Sequence, residues 1–130
     1  MEFQYYGGNC IKISTRQATF VVDDNLASLG AKSIIKPEDI ALYTSLPTTK
    51  AEARLVITDP GEYEVSEVSI FGIAARGNAE EAGQNSATIY KLQYEDTRVA
   101  ILGHTYPDLS EDQLEEIGTV DILITPVGGG

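Results

Sequence analysis

The chain has no tryptophan, one cysteine, one methionine and one histidine among its 130 residues. A lone cysteine, Cys10, excludes an internal disulfide and with it a disulfide-stapled scaffold, so the expected compartment is the cytoplasm. Basic residues are scarce as well. Nine Lys and Arg face 20 Asp and Glu, for a formal net charge of −11. That balance opposes nucleic-acid binding, which needs cations to replace the counterions of the phosphates. It equally opposes attraction to an anionic membrane surface. No local basic patch stands out along the sequence. No apolar run approaches the roughly 20 residues that span a bilayer. The opening Met1-Glu2-Phe3-Gln4 lacks the basic and apolar regions of a signal peptide. Repeats, low-complexity tracts and linkers are absent too. What remains is an ordinary globular composition, 42% apolar and 22% charged, in a length that suits one domain, residues 1–130.

The pattern is mostly that of strands. Cys10-Ile11-Lys12-Ile13-Ser14 alternates with period 2, and Gly7-Gly8-Asn9 before it signals a hairpin turn. Ala18-Thr19-Phe20-Val21-Val22 is a continuous apolar, β-branched run that fits a buried strand. It stops at Asp23-Asp24-Asn25. Residues 26–36 are weakly helical, with Gly30 interrupting. Ile40-Ala41-Leu42-Tyr43 and Arg54-Leu55-Val56-Ile57-Thr58 read as further strands. Asp59-Pro60-Gly61-Glu62 is a turn. Strand patterns follow at 63–65, 68–73, 87–94 and 97–102, with an exposed loop expected over 76–86. Ser110-Glu111-Asp112-Gln113 is a capping box, Leu114 and Ile117 supply an apolar helix face, and Gly118 ends the helix. Asp121-Ile122-Leu123-Ile124-Thr125-Pro126 is a last strand. Many strands with one clear helix near 110–117 predict an α+β layered fold.

Several of these pieces resemble the metallo-β-lactamase superfamily, in particular its small lactone-hydrolase-like branch of zinc-dependent hydrolases. Tyr6-Gly7-Gly8-Asn9-Cys10 is similar to that branch's first hairpin and Val21-Val22-Asp23 to its Leu-Ile-Asp strand. Asp39 through Thr44 resembles the strand feeding its His-x-His-x-Asp-His motif. Strand segments 68–75, 87–90 and 101–103 are also similar, and residues 109–129 resemble its Leu-Thr-x-x-Gln-Leu-Glu-Glu-Leu-Gly…Val-Asp-Val-Leu-Ile-Pro-Val-Gly-Gly segment most specifically. The resemblance implies an αββα sandwich, or the first half of one, with two divalent metals, zinc in many members, generating a hydroxide that attacks an ester, lactam or phosphodiester. In register, however, the motif's ligands fall at Ser45, Pro47, Thr49 and Lys50. The next histidine falls near Gly77, the bridging aspartate at His104 and the first-hairpin histidine at Gly8. The family's final histidine lies beyond residue 130. Dinuclear chemistry needs several imidazoles and carboxylates converging on two cations, so no metal or other cofactor is expected at the family's positions.

Two alternatives stay open. A relocated mononuclear site would draw on His104, Asp23, Asp24 and Asp108, an oxygen-rich set suited to Mg or Mn. There His104 and Asp23 would be the catalytic candidates, as base and as half of a carboxylate pair. Alternatively, the chain is a structural homo-oligomer in which a second copy, or a second half-domain, covers the exposed edge of a half sandwich. Each residue also has a plainer reading: His104 as a hydrogen-bonded loop histidine, Asp23 and Asp24 as turn residues, and Cys10 as a small core residue. The leading expectation is a non-catalytic binding or assembly module on a hydrolase scaffold, with no nucleic-acid or membrane partner.

Overall fold

Strand periodicity is realised in two five-stranded sheets, each belonging to one of two compact units, Met1–Thr58 and Asp59–Gly130. The structure is a computed structural model and describes residues 1–47, 51–77, 86–105 and 109–125. With two sheets and one α-helix among those residues, the architecture is the expected α+β type.

The first unit opens with a hairpin of β1 (Glu2–Gly7) and β2 (Cys10–Ser14). Gly7, Gly8 and Asn9 all have positive φ, which is why this turn carries two glycines and an asparagine. A tight turn then returns the chain. The Thr15 hydroxyl oxygen accepts the amides of Gln17 and Ala18 there. Next comes β3 (Thr19–Val22), antiparallel to β2, whose Phe20, Val21 and Val22 are wholly buried as their continuous apolar run implies. β4 (Ile40–Leu42) and β5 (Leu55–Ile57) extend the sheet in parallel, giving the order β1-β2-β3-β4-β5.

The crossover from β3 to β4 departs from its helical expectation. Only a single 3-10 turn forms, Leu26–Leu29, closed by Gly30 at φ 84°. The rest follows an irregular path in which Ile34 and Ile35 pack against Cys10, Val21 and Leu26.

In the second unit, β6 (Gly61–Val65) and β7 (Val68–Ala75) form a hairpin around Ser66 and Glu67, both at positive φ as a two-residue turn of this hand requires. β8 (Ala87–Tyr94) and β9 (Thr97–Ile101) continue the antiparallel sheet, and β10 (Ile122–Ile124) joins β9 in parallel. Asp121 fastens that last strand: its carboxylate accepts the Arg98 amide at 2.8 Å, and its own amide donates to the Arg98 carbonyl at 2.8 Å.

Helix α1 (Glu111–Ile117) starts with the expected capping box. The Gln113 amide donates to Ser110 Oγ at 3.1 Å and the Ser110 amide to Gln113 Oε1 at 2.8 Å. The helix meets the sheet through Ile117, which packs with Ile73, Ala75, Ile89 and Ala100, and through Gln113 Nε2, which donates to the Ala74 carbonyl. Leu114, expected on the apolar face, is instead exposed. No helix among the described residues is long and apolar enough to cross a membrane.

Candidate functional site

Ligand sites on sheets with parallel strands gather outside the carboxyl ends of those strands. At that edge of the first unit, β3 delivers Asp23 and Asp24, and β4 delivers Tyr43 and Thr44. Asp23 is held at φ 53°, with its amide donating to the Leu42 carbonyl at 2.8 Å. Its carboxylate accepts the Thr44 amide at 2.7 Å and the Thr44 hydroxyl at 2.6 Å, all fully buried. Charge-assisted bonds of this length are strong, and they lock the chain direction just where β4 ends.

Asp24 has a different task. Its Oδ1 accepts the Leu26 amide, and its Oδ2 accepts the Ser33 hydroxyl at 2.7 Å and the amides of Ile34 and Ile35 at 2.8 and 3.1 Å. The helix-poor crossover is thus gathered onto one carboxylate. That side chain reaches ten and eleven residues ahead, which local periodicity does not reveal.

Cys10 and Tyr43 lie buried in the field of this pair. Burial, then the charges of Asp24 and Asp23, push the Cys10 thiol up to about 12. Burial, then Asp24, Asp23 and Cys10, push the Tyr43 phenol up to about 12. Both stay protonated at neutral pH, so neither is an activated nucleophile or base there.

Beyond Thr44, Ser45 is exposed and Pro47 half-buried; Thr49 and Lys50 fall outside the described residues. Gly8 sits at φ 56°, and a Cβ built there would stand 2.5 Å from Leu29 Cδ1. Leu29 is exposed, so a side chain at position 8 would require, for room, only that its flexible tip swing aside.

In the second unit, His104 follows β9 through Gly103 at φ 52° and is half-buried. Its neighbour Thr105 donates its amide to the Leu102 carbonyl at 3.1 Å and bridges to Gly77. The Thr105 hydroxyl is buried with no hydrogen-bond partner among the described residues. Sequence reasoning passed over Thr105, since only its burial marks it. Asp23 and Asp24 belong to one unit and His104 to the other, while Asp108 falls outside the described residues.

The family's chemistry would need zinc ligands here. Serine, proline and glycine at 45, 47, 8 and 77 supply no imidazole or carboxylate, and the orphaned group at Thr105 is a neutral hydroxyl. Among the described residues, no group of three or more His, Cys, Asp or Glu is arranged to hold a metal. The described residues at these positions therefore do not fit a dinuclear zinc centre.

No curated protein matches the chain. Solved structures do. A protein from Thermotoga maritima, classed with the Zn-dependent hydrolases of the metallo-β-lactamase superfamily, superposes with a TM-score of 0.71 at 22% identity, over 98% of this chain and 61% of its own. The diiron β-hydroxylase CmlA of Streptomyces venezuelae gives a TM-score of 0.65 at 14% identity, over 93% of this chain and 33% of its own. Zn(2+)-bound PqqB of Methylobacterium extorquens gives 0.54 at 14% identity, over 88% of this chain and 58% of its own. At such identities the shared property is the fold, and the chain spans less than two thirds of each of these proteins. The β-lactamase superfamily domain itself matches residues 2–130, and the chain belongs to that superfamily.

Proposed function

We propose that this chain is a member of the superfamily without the dinuclear metal chemistry, acting as a binding or assembly module. One observation carries the reading. Asp23 still holds Thr44 at the end of β4 through two short hydrogen bonds, yet the positions just beyond Thr44, where the resemblance puts imidazoles, hold Ser45 and Pro47. The scaffold of the site is kept and its donors are replaced. Lys50, at the position of a further ligand, would add an ammonium that repels a cation.

A relocated mononuclear site is less well supported. Asp24 already takes four donors from its own crossover, and Asp23 takes two from Thr44. Turning either carboxylate toward a metal would strip those donors of their acceptor.

The partner this reading favours is a complementary half-domain or a second copy. Its support is the outer strand β10, whose Leu123 is exposed. Buried, unpaired Cys10 and the acidic surface favour a cytoplasmic protein that avoids nucleic acid and membranes.

Elemental mass spectrometry of the purified, untagged chain tests the proposal. Substoichiometric metal is expected, together with no ester, lactone or phosphodiester hydrolysis after incubation with zinc or manganese. Stoichiometric metal, with hydrolysis abolished by His104→Ala, would overturn it.

A further inference from the structure

The amino ends of β3, β4 and β5 in the first unit, opposite the Asp23–Thr44 edge, border a half-open cavity of about 370 Å³. Lys12, Arg16, Lys36 and Arg54 line it, together with Glu38 and Asp39. Four of the chain's nine basic residues thus share one cavity in a protein of net charge −11. Among the described lining residues these two carboxylates accompany them, a formal excess of two positive charges, with Arg16 and Arg54 each also making contacts of their own. Gathering like charges costs Coulomb energy that an ordinary solvated face avoids by dispersing them.

The rim is built, not loosely assembled. Asp39 is buried and ties two of the cationic positions to itself. The Lys36 amide donates to Asp39 Oδ2 at 2.9 Å, and the Arg54 amide donates to the Asp39 carbonyl at 2.9 Å. The turn bearing Arg16 is fixed through the Thr15 hydroxyl. Lys12 projects from β2, with Nζ 5.9 Å from the centroid of the Tyr6 ring.

We infer that this cavity is a binding site for a small phosphorylated molecule, held through its phosphate dianion. A dianion matches the excess of two charges. Arginine forks pair bidentately with phosphate oxygens, and lysine supplies point charges beside them. The volume lies at the lower end of the range for small-molecule sites, which fits a metabolite. None of its charged residues belongs to the Asp23–Thr44 edge, although Ile34, which also lines the cavity, donates its amide to Asp24.

Two-dimensional amide NMR of the full chain, titrated at fixed ionic strength, tests it. The probes are inorganic phosphate and glycerol 3-phosphate, with sodium chloride as the blank. Saturable shifts confined to residues 15–19, 36–39 and 54 are expected with both phosphate probes. Tighter binding of glycerol 3-phosphate identifies the organic ester as the ligand class; tighter binding of inorganic phosphate assigns free phosphate as the source of the same dianion. Lys36→Gln and Arg54→Gln should each weaken binding about tenfold, the loss of one charge-assisted contact. Both side chains are exposed, so folding should survive, as far-UV circular dichroism will show; the exposed Lys32, outside the cavity, gives the control K32Q, which should bind as the parent does. Shifts that fail to saturate, that spread over the surface, or that ignore both K36Q and R54Q would overturn the inference.

Discussion

Replacing Asp23 by asparagine tests whether the carboxylate organises the edge of the parallel strands. The change keeps shape and volume, and asparagine tolerates the φ of 53° as well as aspartate does. What it removes is charge and one acceptor. The native carboxylate accepts two buried donors from Thr44, at 2.7 and 2.6 Å. Each bond to a charged acceptor is worth about 1.5–3 kcal/mol, and the amide oxygen can keep one of them in neutral form, so the expected loss is about 2–4 kcal/mol. Thr44→Val removes only the hydroxyl donor and should cost about 1.5–3 kcal/mol. Asp23→Ala should cost more than Asp23→Asn, because alanine adds a left-handed backbone penalty of about 1–2 kcal/mol. Urea unfolding followed by far-UV circular dichroism measures all three, there being no tryptophan to follow. A double-mutant cycle between Asp23→Asn and Thr44→Val should show coupling of about 1 kcal/mol or more. Loss of less than about 0.5 kcal/mol in Asp23→Asn, within the range of an ordinary surface substitution, would refute the reasoning.

The buried thiol of Cys10 should be inert to dithionitrobenzoate in the native chain and should react fully in denaturant. Because its folded value is raised from 9.0 to about 12, the stability from keeping its proton is complete below pH 9 and is lost as pH rises from 9 toward 12. Tyr43 acts in the same direction from 10.0 to about 12, so the urea midpoint should fall across that alkaline window, and less steeply in Cys10→Ala. Ser110→Ala should cost about 1 kcal/mol and speed hydrogen exchange at the Gln113 amide, which loses its cap. Gly72→Ala should cost about 1–3 kcal/mol by overpacking, since the new methyl would meet the Asp59 carbonyl at 3.0 Å and Thr88 Cγ2 at 3.1 Å; an unchanged unfolding midpoint would show that the segment yields freely.

Local periodicity made the strands legible. The run at Phe20–Val22 and the alternation at Cys10–Ser14 both became strands; Ile11 and Ile13 are buried as the alternation implies, and Cys10 is buried on the opposite face as well. The reciprocal bonds of the capping box made the helix start legible too. The crossover was not, because its path depends on the Asp24 carboxylate reaching amides ten and eleven residues away. Pairing of β4 with β3 and β5 is likewise non-local, and parallel partners leave no turn signature. At the candidate site, Asp23 and Asp24 stood out as adjacent carboxylates, but their partner Thr44 did not, since nothing in a lone threonine announces a buried acceptor across the sheet. The cationic cavity was the least legible feature of all. Lys12, Arg16, Lys36 and Arg54 are scattered through an acidic sequence and are gathered only by the turns at the strand ends.

The way Asp24 gathers the crossover also bears on how this segment can evolve. Three of its four donors are backbone amides, those of Leu26, Ile34 and Ile35. Every residue except proline offers such an amide. The path from β3 to β4 therefore depends on one carboxylate, on the spacing of the donors and on the packing of Leu26, Ile34 and Ile35 against Cys10 and Val21, and little on the exposed side chains between them. Exposed crossover positions such as Ala27, Ser28, Ala31 and Lys32 are free to drift in identity while the length of the segment is not, so a one-residue insertion here should be tolerated far less well than several substitutions.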